Sequence, residues 1–128
     1  MRLIPLFFLF ASSAVFADVV SLDCVLDRKY SPASDYKWVE MERSEKEFFD
    51  LDTSKEKVHQ LLPTGKSYKS YKGVFSPTSV KWGDYENDIS IDRETLEIKW
   101  DWSWNNGSSF YYKKGKCKLV KRSVNTKF

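Results

Sequence analysis

Three tryptophans alternate along one short stretch of the chain. Trp100, Trp102 and Trp104 fall in Leu96–Trp104, which reads Leu-Glu-Ile-Lys-Trp-Asp-Trp-Ser-Trp. Side chains of an extended strand repeat every two residues. Leu96, Ile98, Trp100, Trp102 and Trp104 therefore share one face, and Glu97, Lys99, Asp101 and Ser103 share the other. Indole rings give large contact area at low entropy cost. Trp100, Trp102 and Trp104, together with Trp82, are thus the candidates for a cavity that stacks on a sugar, a lipid or a flat ring. Their simpler role is to fill an interior, because eight-stranded barrels are often just wide enough to be filled by side chains. Trp104, beside the following turn, is the one expected at a rim.

Other chemistry is thinner. His59 is the one histidine and the one side chain whose ordinary pKa lies near neutrality. As a general base it would need a Ser or Cys partner. No Gly-x-Ser-x-Gly elbow is present, and alternation with Val58 makes His59 a strand-surface residue. Asp84, Glu86, Asp88, Asp92 and Glu94 offer oxygen ligands for Ca²⁺ but lack the spacing and the glycine of an EF-hand loop. Carboxylates alternating on a wet strand face account for them. Paired acids for glycoside hydrolysis must stand about 5 to 9.5 Å apart, which spacing in sequence does not reveal. The lysines of Lys113–Lys121 could meet phosphate or an anionic surface, but they mostly alternate with apolar residues, as on a solvated strand, and lysines also guard strand edges. Asn106-Gly107-Ser108 matches a glycosylation sequon and reads more simply as a turn. Two cysteines and one histidine fall short of a zinc site. No metal and no cofactor is expected, and no catalytic set is complete.

The elements that must position these residues begin after a leader. Arg2 precedes an apolar run, Leu3 to Phe16, and Val15-Phe16-Ala17 offers a small residue before a cut. Residues 1–17 read as a secretory signal peptide; a membrane span wants roughly 18 apolar residues or more. Residues 18–128 then form a single domain in a secreted or periplasmic setting, with no transmembrane span in the mature chain. In that setting Cys24 and Cys117, near the two ends of the mature chain, are expected to form a disulfide. The formal net charge is +3, too balanced for nucleic-acid binding. After residue 17 the one alanine is Ala33, and Tyr, Trp, Phe, Val, Ile and Thr are plentiful, a composition that favours strands.

Strands are expected from Val20 to Leu26, over Phe48–Asp52, Lys57–Leu62, Ser67–Phe75, Thr78–Trp82, Asp88–Asp92 and Leu96–Trp104, and from Phe110 to Val120. Tyr36 to Arg43 fits either a short helix capped by Ser34 or another strand. Thr53–Glu56, Pro63–Gly65, Gly83-Asp84, Arg93–Thr95 and Asn105–Ser108 are turns, and Asn-Gly suits a type I′ hairpin. The tail Lys121 to Phe128 is expected to fray. About eight strands joined by short turns predict an all-β antiparallel meander, folded as a small closed barrel of lipocalin-like kind or as a sandwich. Its first and last strands would be joined by the disulfide. An outer-membrane barrel fits less well, since Lys69, Lys72, Lys81 and Lys99 interrupt the apolar band such a barrel needs.

Ile89-Ser90-Ile91-Asp92-Arg93-Glu94-Thr95, Gly115-Lys116-Cys117 and the Lys127-Phe128 ending, with Cys24, resemble small signal-peptide-bearing bacterial proteins of unknown function. The likeness covers the C-terminal third. It implies a bacterial envelope or secreted location and carries no activity. The hairpin of those proteins usually continues with glycine where this chain has Leu96, which implies a different turn. The preferred reading is a non-enzymatic secreted or periplasmic β-barrel module that binds a small apolar ligand or a partner protein of the envelope. An inhibitor of an envelope enzyme and a small hydrolase are the alternatives.

Overall fold

The computed structural model describes residues 19–104 and 109–121. The expected signal peptide over residues 1–17, the expected Asn-Gly turn and the tail expected to fray beyond Lys121 lie outside the described residues. Nine strands form one antiparallel sheet: β1 (Val19–Tyr30), β2 (Val39–Asp52), β3 (Lys57–Leu61), β4 (Ser67–Lys72), β5 (Val74–Phe75), β6 (Ser79–Gly83), β7 (Asn87–Asp92), β8 (Glu97–Trp104) and β9 (Ser109–Val120). Their spatial order is β4-β3-β2-β1-β9-β8-β7-β6-β5. β1 pairs with β2 on one side and with β9, the middle strand, on the other.

The sheet curls into a nearly closed barrel rather than a sandwich. Ser67–Phe75 is extended, as expected, but it breaks at Gly73 and changes partner. β4 pairs with β3, and β5 pairs with β6. One covalent stretch thus links the two edges of the sheet. Gly73 donates its N–H to the Glu56 carbonyl at 2.9 Å. A Cβ there would lie 3.0 Å from the Phe75 ring and 3.1 Å from Val58, so the corner favours the smallest residue. Across the seam between β4 and β6, Lys69 Nζ approaches Asp84 Oδ2 at 3.7 Å.

Alternation places Leu22, Cys24, Leu26, Phe49, Leu51, Val58, Val80, Trp82, Ile89, Ile91, Ile98 and Cys117 in one buried cluster. Each such side chain contributes about 1.5–3 kcal/mol of burial. Cys24 and Cys117 are direct cross-strand neighbours joined by a disulfide with Cα atoms 3.9 Å apart. Two residues away, Gly115 faces Leu26, and a Cβ on it would fall 1.7 Å from the Val25 carbonyl oxygen. No larger residue allows β1 and β9 to approach this closely.

One open alternative is decided and one expectation is corrected. Of the two readings of Tyr36 to Arg43, the strand holds from Val39 onward, and no helix forms there. Pro32–Ser34 makes one 3-10 turn, and Asp35 and Tyr36 both take left-handed backbone, φ 58° and 57°. β2 then runs unbroken from Val39 through the Phe48–Asp52 segment. The ladder to β1 jumps from Leu26–Glu45 to Arg28–Glu40, a bulge that absorbs the irregular pattern before Glu45. The correction concerns Leu96, expected as the first residue of the tryptophan strand, which instead precedes β8 and ends the turn with φ 62°. Glycine favours that region, and a branched residue there costs about 1–2 kcal/mol. The Asp92 carboxylate fixes the turn by accepting the N–H groups of Glu94 (2.8 Å) and Thr95 (2.9 Å).

Replacing Cys24 and Cys117 together by Ser is expected to lower the unfolding free energy by roughly 4–5 kcal/mol, the entropy of opening so long a loop. Urea denaturation of both forms measures it. An unchanged midpoint would mean that the strand ladder alone fixes β1 against β9.

Candidate binding sites at the two ends of the barrel

The four tryptophans occupy different depths. Trp82 is 5% exposed in the core, edge-on to Phe49 with ring centroids 5.1 Å apart. Its indole N–H is buried without a partner among the described residues, a defect of about 1–3 kcal/mol when no water or ligand group meets it. Trp100 packs against the same cluster and donates its indole N–H to Asn87 Oδ1 at 2.9 Å. Trp102 is 39% exposed and lies against Trp104, centroids 4.6 Å apart and planes tilted by 36°. The ladder therefore begins in the core and ends at the end of the barrel where β6 turns into β7 and β8 reaches Trp104. Filling and lining are divided between its two halves.

That end is polar inside. Register carries Glu45 and Glu47 of β2, Gln60 of β3, Asn87 of β7, and Tyr111 and Lys113 of β9 onto the same side as the core residues. Lys113 Nζ meets Glu45 Oε1 at 2.7 Å, with side chains 16% and 43% exposed. The same ammonium lies 4.9 Å from the centroid of Trp100 and 5.9 Å from that of Tyr111, positions in which an aromatic face attracts a cation. Gln60 Nε2 donates to Glu47 Oε1 at 3.0 Å. Burial raises the Glu47 carboxyl above its ordinary pKa, against the lowering effect of the Gln60 hydrogen bond and the Lys113 charge. Burial, then the Glu45 charge, raises the Tyr111 phenol. Asn87 Nδ2 donates to Asp84 Oδ1 at 3.0 Å, continuing the network to the seam.

The opposite end is apolar. Val20, Leu22, Leu51, Phe75, Val80, Ile91, Leu96 and Leu119 enclose a cavity of about 310 Å³, with Thr53, Arg93 and Glu94 also in its wall. Leu119 is 65% exposed. Arg93 is held by donation from Nη1 to the Ser76 carbonyl at 2.6 Å, which leaves other donors of the guanidinium fork for a ligand. None of the four tryptophans lines this cavity. Sequence reasoning passed over its wall because Leu96 and Leu119 look like ordinary core positions. Only the positive φ at Leu96 sets one of them apart. A larger hollow of about 610 Å³ lies along Lys72, Lys81, Asp84, Glu86, Asp88 and Asp101. Its wall is more polar than apolar, although Val74, Trp82, Tyr85 and Tyr112 also line it. Asp88 and Asp101 are cross-strand neighbours there, and Asp101 is raised by burial and then by the Asp88 charge.

The remaining candidates separate. His59 does find a serine: its Nδ1 lies 2.7 Å from Ser70 Oγ on the neighbouring strand. Both belong to the outward-facing row, and Ser70 is exposed, where nothing shields a reacting group from water. The acidic set is dispersed. Asp84 and Asp92 accept turn N–H groups at opposite ends of β7, and Asp88 stands on the outer face. Among the described residues no group of three or more potential ligand side chains is gathered for a metal. The Lys113–Lys121 run is not uniformly solvated, because Lys113 points inward to Glu45. The clue was its parity with Tyr111 and Gly115. Comparison with protein-family models, curated proteins and solved structures gave no match.

Because burial raises Glu47, the folded state binds its proton more tightly than the unfolded chain does. The stability this gives is fully present below the ordinary carboxylate pKa and is lost as pH rises through the folded value. Glu47→Gln keeps an acceptor for Gln60 and carries no charge. Its melting temperature is expected to exceed that of the parent at neutral pH and to match it in acid, measured by thermal denaturation across pH. A lower melting temperature at neutral pH would show that the Lys113 attraction outweighs desolvation.

Proposed function

We propose that the protein is a non-enzymatic extracytoplasmic binding module that holds a small apolar ligand in the cavity walled by Val20, Leu51, Phe75, Leu96 and Leu119. One observation carries this reading: an aliphatic cavity of about 310 Å³ with few polar groups around it. Ligand sites usually run from about 300 to 1,000 Å³ with mostly apolar walls and a few placed polar groups. The volume suits a short acyl chain or a single small ring system. The strained backbone of Leu96 lies in the wall, and such strain tends to collect at ligand clamps. Arg93 and Thr53 would meet a carboxylate or hydroxyl at the ligand's polar end. The disulfide is compatible with an extracytoplasmic location, and no helix among the described residues is long and apolar enough to cross a membrane.

A second reading, binding of a partner protein, is favoured by one surface feature. Tyr30, Tyr36, Trp38, Phe110 and Tyr112 form a partly exposed aromatic cluster, with Tyr30 and Tyr112 stacked at 5.7 Å and Lys114 Nζ 4.4 Å from the Trp38 centroid. Aromatic residues of this kind are enriched where proteins dock. Inhibition of an envelope enzyme would be one form of it.

Decanoate is the probe for the cavity. It is expected to displace anilinonaphthalene sulfonate from the protein. Leu119→Glu, at an exposed position that leaves the core intact, is expected to weaken decanoate about tenfold, equivalent to about 1.4 kcal/mol. Trp102→Ala is expected to leave decanoate binding unchanged. Failure of decanoate to bind, or equal binding by Leu119→Glu, would overturn the assignment of the ligand to this cavity.

A further inference from the structure

The polar end of the barrel carries more chemistry than closure of a core requires. Apolar side chains at Glu45, Glu47, Gln60 and Lys113 would seal the barrel without desolvating any charge. The chain instead holds a half-buried ammonium between a carboxylate and two aromatic faces. Beside that polar floor stand the two indoles of Trp102 and Trp104, tilted by 36° at 4.6 Å. They form a bent apolar platform, and Trp102 remains 39% exposed. Tyr111 extends it at 6.5 Å from Trp102.

We infer that this end is a second binding site, distinct from the aliphatic cavity, and that it takes a neutral sugar ring. The argument is chemical. A sugar has a flat C–H face for an aromatic platform and hydroxyl groups that both donate and accept. The platform here is Trp102 and Trp104. The acceptors are the carboxylates of Glu45 and Glu47; an ionised carboxylate offers about four acceptor sites, of which Lys113 takes one on Glu45. The donors are the remaining protons of Lys113 and the Tyr111 hydroxyl. Charge argues against a phosphate: Glu45 is matched by Lys113 and Asp84 by Lys69, so the site has no uncompensated cation, and Glu47, which accepts from neutral Gln60, is a single carboxylate rather than the cluster a bound cation usually needs. An aliphatic chain would leave the Glu45–Lys113 pair desolvated without new partners, at a cost that polar hydroxyls avoid.

The decisive experiment is an NMR titration of the folded, oxidised protein with cellohexaose, chitohexaose and maltohexaose, following the indole N–H signals. The Trp102 and Trp104 signals are expected to move with at least one of the three, while the Trp82 signal stays in place. Trp102→Ala is expected to weaken that sugar tenfold or more, and Trp102→Phe, which keeps an aromatic face, to restore part of the loss. Glu45→Gln, which removes charge without changing shape, is expected to weaken it as well. In all three variants the dispersion of the remaining amide signals should match the parent, which shows the variants folded whether or not decanoate binds, and any decanoate binding should be unchanged, which separates this site from the aliphatic cavity. No movement of the Trp102 and Trp104 signals with any of the three sugars at millimolar concentration would overturn the inference. So would affinity that is unchanged in Trp102→Ala.

Discussion

The whole barrel depends on one pairing: the first strand against the last. β1 and β9 are remote in sequence, and neither half of the sheet closes without them. β1–β4 form one run and β5–β9 the other. The β1–β9 junction between them is held by a disulfide between direct neighbours, Cys24 and Cys117, and by a glycine, Gly115, placed where β1 leaves no room for a side chain. Loop closure over most of the chain is entropically costly. A covalent link removes much of that cost from the folded state's competition with the unfolded chain. It also frees the rest of the interior from having to supply all the stability, which matters in a domain small enough that its core is modest.

That freedom is visible in how the interior is used. The middle of the barrel is dry and filled, from Leu22 and Phe49 to Ile98 and Trp82. The two ends diverge from it in opposite ways. One end leaves aliphatic walls with a hollow between them. The other places ionised and hydrogen-bonding groups around an ammonium that would be costly to bury alone. The same inward-facing positions of the same strands supply both, so chemistry changes along the barrel axis while the fold does not. The turns at strand ends are fixed by aspartates, Asp52, Asp84 and Asp92, whose carboxylates accept backbone N–H groups. Hydrogen bonding to the charged form holds these three below the usual carboxylate pKa, so the carboxylates that shape the ends stay ionised.

Closure at the β4–β5 corner follows a local rule with a distant effect. Gly73 is small enough to let one extended stretch leave β3 and join β6. The result is a barrel with a seam rather than a fully bonded ring. The seam is where Lys69 and Asp84 approach each other, next to the polar hollow along Lys72, Lys81 and Asp84.

By itself the sequence determined the class and much of the order: alternating apolar residues mark strands wherever one face is dry. Ser-Leu-Asp-Cys in β1, Asp-Ile-Ser-Ile-Asp in β7 and the tryptophan stretch of β8 all appear as read. The cysteine pair was legible because two cysteines near opposite ends of a chain that reads as carrying a secretory leader have few other uses. What periodicity could not decide was anything that depends on which strands meet. Glu45 and Lys113 are 68 residues apart, and their pairing arises only because β2 and β9 flank β1. Lys113 looked solvated because a strand's parity says which residues share a face, not whether that face is inside. Tyr36 to Arg43 stayed ambiguous because a bulge against β1 breaks the local period. The difference between Trp82, Trp100 and Trp102 is one of depth along the barrel axis. The register of eight ladders sets that depth, and a run of alternating residues does not encode it.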